Sequence, residues 1–171
     1  MFKSKAPMAL IGILLAAAFL VACGDSASSD TDATTKANLE VVSRFIEEFK
    51  NKANQEIVDE LMSPDFVHHL TDPRLPKGRE AIKLLGQSIV AGFPDVHASV
   101  QDLLADGDKV IERTQTSATH TGEFNGIPPT GRQVGWTEMH IYRLEGGKIV
   151  EMWSEIDLLG LLVQLGAIPG P

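Results

Sequence analysis

Cysteine is almost missing from this chain: Cys23 is the only one in 171 residues. A disulfide within one molecule is therefore impossible, and a thiol nucleophile in the folded part of the chain is excluded. Basic residues are outnumbered, with 15 Lys plus Arg against 23 Asp plus Glu and a formal net charge of −8. Without a basic stripe or basic–aromatic interleaving, nucleic acid is not an expected partner. No HExxH, paired-cysteine or calcium-loop spacing is present, and His68-His69 is too short a spacing for two ligands on one strand face, so no metal is expected. The G-x-S-x-G elbow of serine hydrolases and the Gly-rich loops that hold phosphates or dinucleotides are also missing. No cofactor is expected, and no internal repeat is seen.

A targeting signal is present at the start. Lys3 and Lys5 precede an apolar run from Met8 to Val21, too short for a normal membrane-spanning helix. Leu20-Val21-Ala22-Cys23 resembles a bacterial lipobox, in which the cysteine is lipidated and becomes the new N-terminus. The alternative is an ordinary signal peptide with a chance cysteine. Residues 1–22 thus read as a signal peptide, and residues 23–36, rich in Ser, Thr, Asp and Ala, as a lipidated Cys23 and a flexible tether. The expected location is extracytoplasmic, anchored to a membrane through Cys23. Gly24 after the cysteine resembles lipoproteins sent to the outer membrane of Gram-negative cells. One domain remains, residues 37–171.

Within it, Leu39, Val42, Phe45, Ile46 and Phe49 recur at helical spacing. A second short helix, capped by Asn54, carries Ile57, Val58, Leu61 and Met62. Residues 66–70 read as extended, residues 71–78 as a loop, and residues 79–93 as a third helix. After Pro94 the period changes to that of strands: Val96, Ala98 and Val100 alternate with His97 and Ser99, and Asp106-Gly107 signals a hairpin. Residues 110–119 and 134–144 continue as strands around a Gly/Pro loop at 122–131. Gly146-Gly147 turns the chain back into residues 149–156. Helices followed by a meander of long strands predict an α+β fold.

Asp157 stands between a Trp-bearing strand and the apolar run 158–165. Such surroundings raise a carboxyl pKa toward the range useful for proton transfer. Asp is equally a favoured cap for a helix starting at Leu158. Trp136, Glu138, His140 and Tyr142 share one face of a strand, which suits either a polar patch in an aromatic pocket or a solvent face. On the next strand Trp153, Glu155 and Asp157 share a face. If both faces point inward, Asp157 and His140 approach each other. His97 is expected on the solvent side. His120 either lines a pocket mouth or holds the Gly/Pro loop by hydrogen bonds.

Several segments together carry a family likeness: DFVHH at 65–69, FPD at 93–95, ADGDKV at 105–110, THTGEFNGIPPTGR at 119–132, and GGKIVEMW with Asp157 and LLGLLVQLG after it. The chain resembles the SnoaL-like polyketide cyclases, or ester cyclases, of the nuclear-transport-factor-2-like superfamily. The resemblance implies a cone-shaped α+β barrel, with N-terminal helices packed in a curved antiparallel sheet around an internal pocket, and a tendency to form homodimers. It implies a cofactor-independent aldol-type cyclisation or related isomerisation of a small hydrophobic carbonyl compound. Asp157 maps to the family's acid/base aspartate, with His140 and His120 as further catalytic candidates. His69, rather than His68, matches the family's histidine, and joins Phe124, Trp136, Glu138 and Trp153 as the expected substrate-binding residues. Two other readings stay open: a hydrolase that activates water with a pocket carboxylate, and a lipoprotein that binds a small ligand without turnover.

Overall fold

The computed structural model describes residues 26–69, 72 and 74–170. The signal segment and Cys23 lie outside the described residues. α1 (Ser26–Phe45) runs directly into a π-helical segment, Ile46–Asn51, and is followed by α2 (Glu56–Leu61), β1 (Met62–His68) and α3 (Arg79–Gly92). Then come β2 (His97–Asp106), β3 (Lys109–Thr119), β4 (Gln133–Glu145), β5 (Lys148–Ile156) and α4 (Leu158–Leu165). The backbone from Ser26 to Lys36 is helical, where the sequence suggests a tether. Neither Gly nor Pro interrupts residues 26–52, so nothing breaks the upstream continuation of the amphipathic stretch.

The five strands form one curved α+β sheet in the order β1-β5-β4-β3-β2. β2 to β5 are an antiparallel meander, and β1 pairs parallel with β5 at one edge. Two-residue turns set the hairpins: Gly107 has φ 58°, and Gly146 and Gly147 have φ 56° and 76°, backbone that glycine adopts without a steric penalty. Pro64, which cannot donate to a ladder, sits in the edge strand β1, where the register is irregular. At the opposite edge the Asn51 side chain accepts from Ala98 N–H at 2.8 Å and donates to its carbonyl at 3.2 Å, tying β2 to the end of the π-helical segment.

The helices cover one face of the sheet through two apolar clusters. One gathers Val42, Phe45 and Ile46 with α2, Met62, Phe66 and the inner residues Val110, Tyr142, Leu144, Ile149 and Met152. The other gathers Phe93, Ala118, Phe124, Val134 and Trp136 under Leu161 and Leu165 of α4. Strand alternation assigns the inner face: Val110, Glu112, Thr114, Thr116 and Ala118 are buried in turn along β3. The inner face is therefore apolar at both ends and polar in the middle.

Candidate functional site

That polar middle crosses three strands at one level. Register places Glu112 opposite His140, and His140 opposite Ser154. The π-helical segment brings Lys50 onto the same level from the helical side. Its ammonium lies 2.6 Å from Glu112 Oε1 and 2.9 Å from Glu138 Oε2, with the side chain only 14% exposed. Tyr142 donates its hydroxyl to Glu112 Oε2 at 2.5 Å. Glu138 receives three further donors: Trp136 Nε1 at 2.6 Å, Thr116 Oγ1 at 3.2 Å and His140 Nε2 at 2.9 Å. The other nitrogen of His140, Nδ1, is 2.9 Å from Ser154 Oγ, and His68 Nε2 reaches the same oxygen at 3.1 Å.

The direction of the hydrogen bonds follows from one end. Burial alone would push the Glu138 carboxyl up, but Lys50 and His140 outweigh it and hold the group well below the usual carboxylate range. An ionised carboxylate only accepts, so His140 Nε2 carries the proton. Burial first, and then the nearby Lys50 charge, pull His140 below its ordinary value despite the opposing hydrogen bond it donates to Glu138. The neutral ring then has Nδ1 as an acceptor, and Ser154 must donate its hydroxyl proton to it. The remaining lone pairs of Ser154 accept from His68 Nε2–H. Burial, followed by the His140 and His69 charges, lowers the His68 pKa to about 4, so it too is neutral near pH 7. Burial weakens the Lys50 ammonium, but Glu138 and Glu112 more than offset this and its pKa lies above the ordinary value. Burial, then the Glu112 carboxylate, raise the Tyr142 hydroxyl well above its ordinary value.

The structure places the sequence-predicted residues unevenly. His140, Glu138 and Trp136 are in this network. Asp157 is not: it is exposed, its Oδ1 accepts from Gly160 N–H at 2.8 Å, and it caps α4. The expectation that it faces an internal apolar pocket and meets His140 is corrected. The cause is a bulge at Val150. Leu144 pairs with Ile149, but Arg143 pairs with Glu151, and the extra residue moves every later side chain of β5 to the other face. Met152, Ser154 and Ile156 therefore share the inner face of β4, while Trp153 lies opposite Ile141 on the outer face. His69 is corrected for the same reason of parity: it is exposed, stacks on Trp153 with ring centroids 4.4 Å apart, and bonds Glu151 at 2.8 Å. His68 is the histidine that enters the network. His97 is exposed, as the alternation predicts.

His120 is fully buried beside Phe93, with ring centroids 5.1 Å apart. Its Nδ1 accepts from Thr130 N–H at 3.2 Å, which leaves the proton on Nε2, and Nε2 has no partner among the described residues. Phe124 is 5% exposed and packs edge-on against Phe93 in the second apolar cluster. Among the described residues no three His, Cys, Asp or Glu side chains are arranged to hold a metal ion. Lys50, Glu112, Ser154 and His68 escape the sequence reading. Glu112 leaves a usable trace, since it falls in phase with Val110 and Ala118, and a carboxylate on that face requires a buried cation.

The profile of the SnoaL-like polyketide cyclases matches residues 40–165. Aklanonic acid methyl ester cyclase DnrD from Streptomyces peucetius is 25% identical over 133 residues, covering 75% of this chain and 90% of the relative. The nogalonic acid methyl ester cyclase of Streptomyces nogalater is 28% identical over 119 residues, covering 68% and 88%. Among solved structures, wild-type IdmH from Streptomyces antibioticus is 37% identical, with a TM-score of 0.66, covering 75% of this chain and 98% of its own.

Two consequences are measurable. Lys50→Met leaves Glu112 and Glu138 together without their cation, and should destabilise the protein by about 3–5 kcal/mol in urea denaturation, with partial recovery on adding Glu112→Gln. The second concerns pH. His68 titrates at about 4 when folded, against an ordinary value of 6.5. Between those values the unfolded chain binds more protons, so stability is full above 6.5 and is lost as the pH falls toward 4. The lowered His140 acts in the same direction. Melting temperatures measured from pH 7 to pH 4 should fall, and fall less steeply in His68→Gln.

Proposed function

This chain belongs to the SnoaL-like polyketide cyclase family, and from that premise we propose that it is a cofactor-independent cyclase-type enzyme in which His140 moves the proton. The observation that carries this reading is the Glu138–His140 pair, with Nε2–H fixed on the carboxylate and Nδ1 left as the accepting nitrogen. A neutral imidazole is the form needed to remove a proton from carbon next to a carbonyl. The imidazolium that results is stabilised by Glu138 at 2.9 Å. Glu138 is a poor base itself, because four donors occupy its two oxygens. The unpartnered Nε2–H of His120 is assigned to the developing enolate oxygen, an electrostatic role that does not require proton loss.

The substrate expected is a small apolar carbonyl compound. Ile156, on the inner face opposite Glu138, is 43% exposed, and Leu158 and Leu159 beside it are 44% and 69% exposed, which makes an apolar margin next to the polar belt. Two relatives are named for methyl ester substrates, so aklanonic acid methyl ester is the first compound to offer. Ring closure followed by chromatography and mass spectrometry should fall about 10²-fold or more in His140→Gln. Asp157→Asn, which keeps the cap, should retain turnover and folding. Undiminished closure in His140→Gln would place the base elsewhere, and loss confined to Asp157→Asn would return the acid/base role to Asp157.

We also propose that Cys23 is lipidated and anchors the domain on the extracytoplasmic side of a membrane. The support is Leu20-Val21-Ala22-Cys23 behind a charged and apolar leader. Two acyl signals suffice for stable anchoring. Cys23→Ser should move the protein from the membrane to the soluble fraction, and an unchanged membrane fraction would end the proposal.

A further inference from the structure

We propose that Ser154 is an acyl-transfer nucleophile, activated by His140 and Glu138, and that this site cleaves esters of small apolar acids through an acyl-enzyme. The proposal shares His140 with the cyclase reading and rests on the same neutral imidazole. It adds a covalent step that cyclisation does not need.

A serine hydroxyl becomes a nucleophile when a base accepts its proton and a third group orients that base. Here the three groups lie in order. Ser154 Oγ is 2.9 Å from His140 Nδ1, and His140 Nε2 is 2.9 Å from Glu138 Oε2. The ring nitrogens have changed places relative to the usual arrangement, but the roles are kept: one nitrogen takes the serine proton while the other is locked on a carboxylate. Glu138 is itself fixed by Lys50, Thr116 and Trp136. β4 and β5 hold His140 and Ser154 in register, so the contact is built into the ladder rather than into a loop. Ser154 is half-buried and His140 only 3% exposed, so Ser154 is the more exposed member of the pair. The missing G-x-S-x-G elbow does not count against it, since that motif exposes a serine at a strand-to-helix turn, and Ser154 reaches the same partners from within a strand.

The step balances as follows. Ser154 Oγ attacks the ester carbonyl and forms the Oγ–C bond, while its proton passes to His140 Nδ1. His68 Nε2–H, 3.1 Å from Oγ in the free protein, is released from that oxygen and is placed to donate to the carbonyl oxygen as it gains charge. The bond from carbon to the alcohol oxygen breaks, and the His140 proton leaves with the alcohol. Water then attacks the acyl-serine and gives its proton to His140. The Oγ–C bond breaks, the proton returns to Ser154, and the acid departs. The sum is ester plus water to acid plus alcohol.

The test uses the full chain in detergent and a fluorophosphonate probe, which reports activated serines without requiring the natural ester. At pH 7.5 the protein should gain one adduct, mapped by peptide mass spectrometry to Ser154. The labelling rate should fall about 10²-fold or more in His140→Gln. Ser154→Ala should carry no adduct while keeping a cooperative melting transition, and Ser154→Cys should transfer the reactivity to iodoacetamide, mapped to position 154. No adduct on wild-type protein with a cooperative melt, or an adduct that persists in Ser154→Ala, overturns the proposal. Because labelling reads only the hydroxyl, its failure leaves the cyclase reading standing.

Discussion

The site depends on one buried ammonium group. Lys50 sits between Glu112 and Glu138, and Glu138 keeps its charge, against its own burial, through that placement and the His140 hydrogen bond. Without the cation, two carboxylates on one sheet face would repel each other and one would bind a proton. With it, Glu138 stays an ionised acceptor. Glu112 then takes the Tyr142 hydroxyl proton as a hydrogen bond, and Glu138 takes the His140 N–H. A buried ion pair is seldom a net gain over an apolar filling of the same volume. It lies between two apolar clusters that pack helices on the sheet, and the proposed chemistry would use the charge it fixes there.

Delivery of Lys50 is a matter of helix geometry. The apolar stripe of α1, with Val42 and Phe45, keeps the helix on the sheet, and the switch to π-helical turns at Ile46 changes the angular step just before Lys50. π-Helical turns recur at functional sites because they re-aim one or two side chains without ending a helix. The segment then closes on the edge of the sheet through Asn51, so the displaced turn is anchored on both sides.

Elements with a strong period were legible in the sequence. α4 begins and ends where its apolar run does, and the hairpins at Gly107 and Gly146-Gly147 fall on the expected turns. The upstream extent of α1 was not, because Ser, Thr and Asp are weak helix formers and composition favours a tether. β1 begins at Met62, before Pro64, a residue that reads as a breaker until an edge position makes it harmless. The site was legible only on β4, where Trp136, Glu138, His140 and Tyr142 keep an unbroken alternation. On β5 the inserted Val150 exchanges the two faces, and alternation read forward from Trp153 follows the outer surface to Asp157. A bulge costs one residue and leaves no distinctive letter in the sequence. It decides whether Ser154 or Trp153 meets His140.

The same exchange explains how family likeness and local chemistry fit together. Likeness spans residues 40–165 and reflects the shared helices and sheet; it does not fix which proton His140 takes. In the proposed reactions an imidazole held by Glu138 through Nε2, with Nδ1 accepting from Ser154, would do equivalent work on an acidic C–H or on the Ser154 hydroxyl. In both cases positive charge develops on the ring, beside a carboxylate kept ionised by Lys50. In both proposed reactions negative charge would develop on an oxygen, and the proposals assign its stabilisation to an N–H of His120 or of His68. What would separate the two proposed reactions, carbon–carbon bond formation and ester cleavage, is therefore the position of the substrate carbonyl. A carbonyl lying over Ser154 meets the hydroxyl, whereas one that brings its neighbouring carbon to Nδ1 displaces the hydroxyl and meets the base.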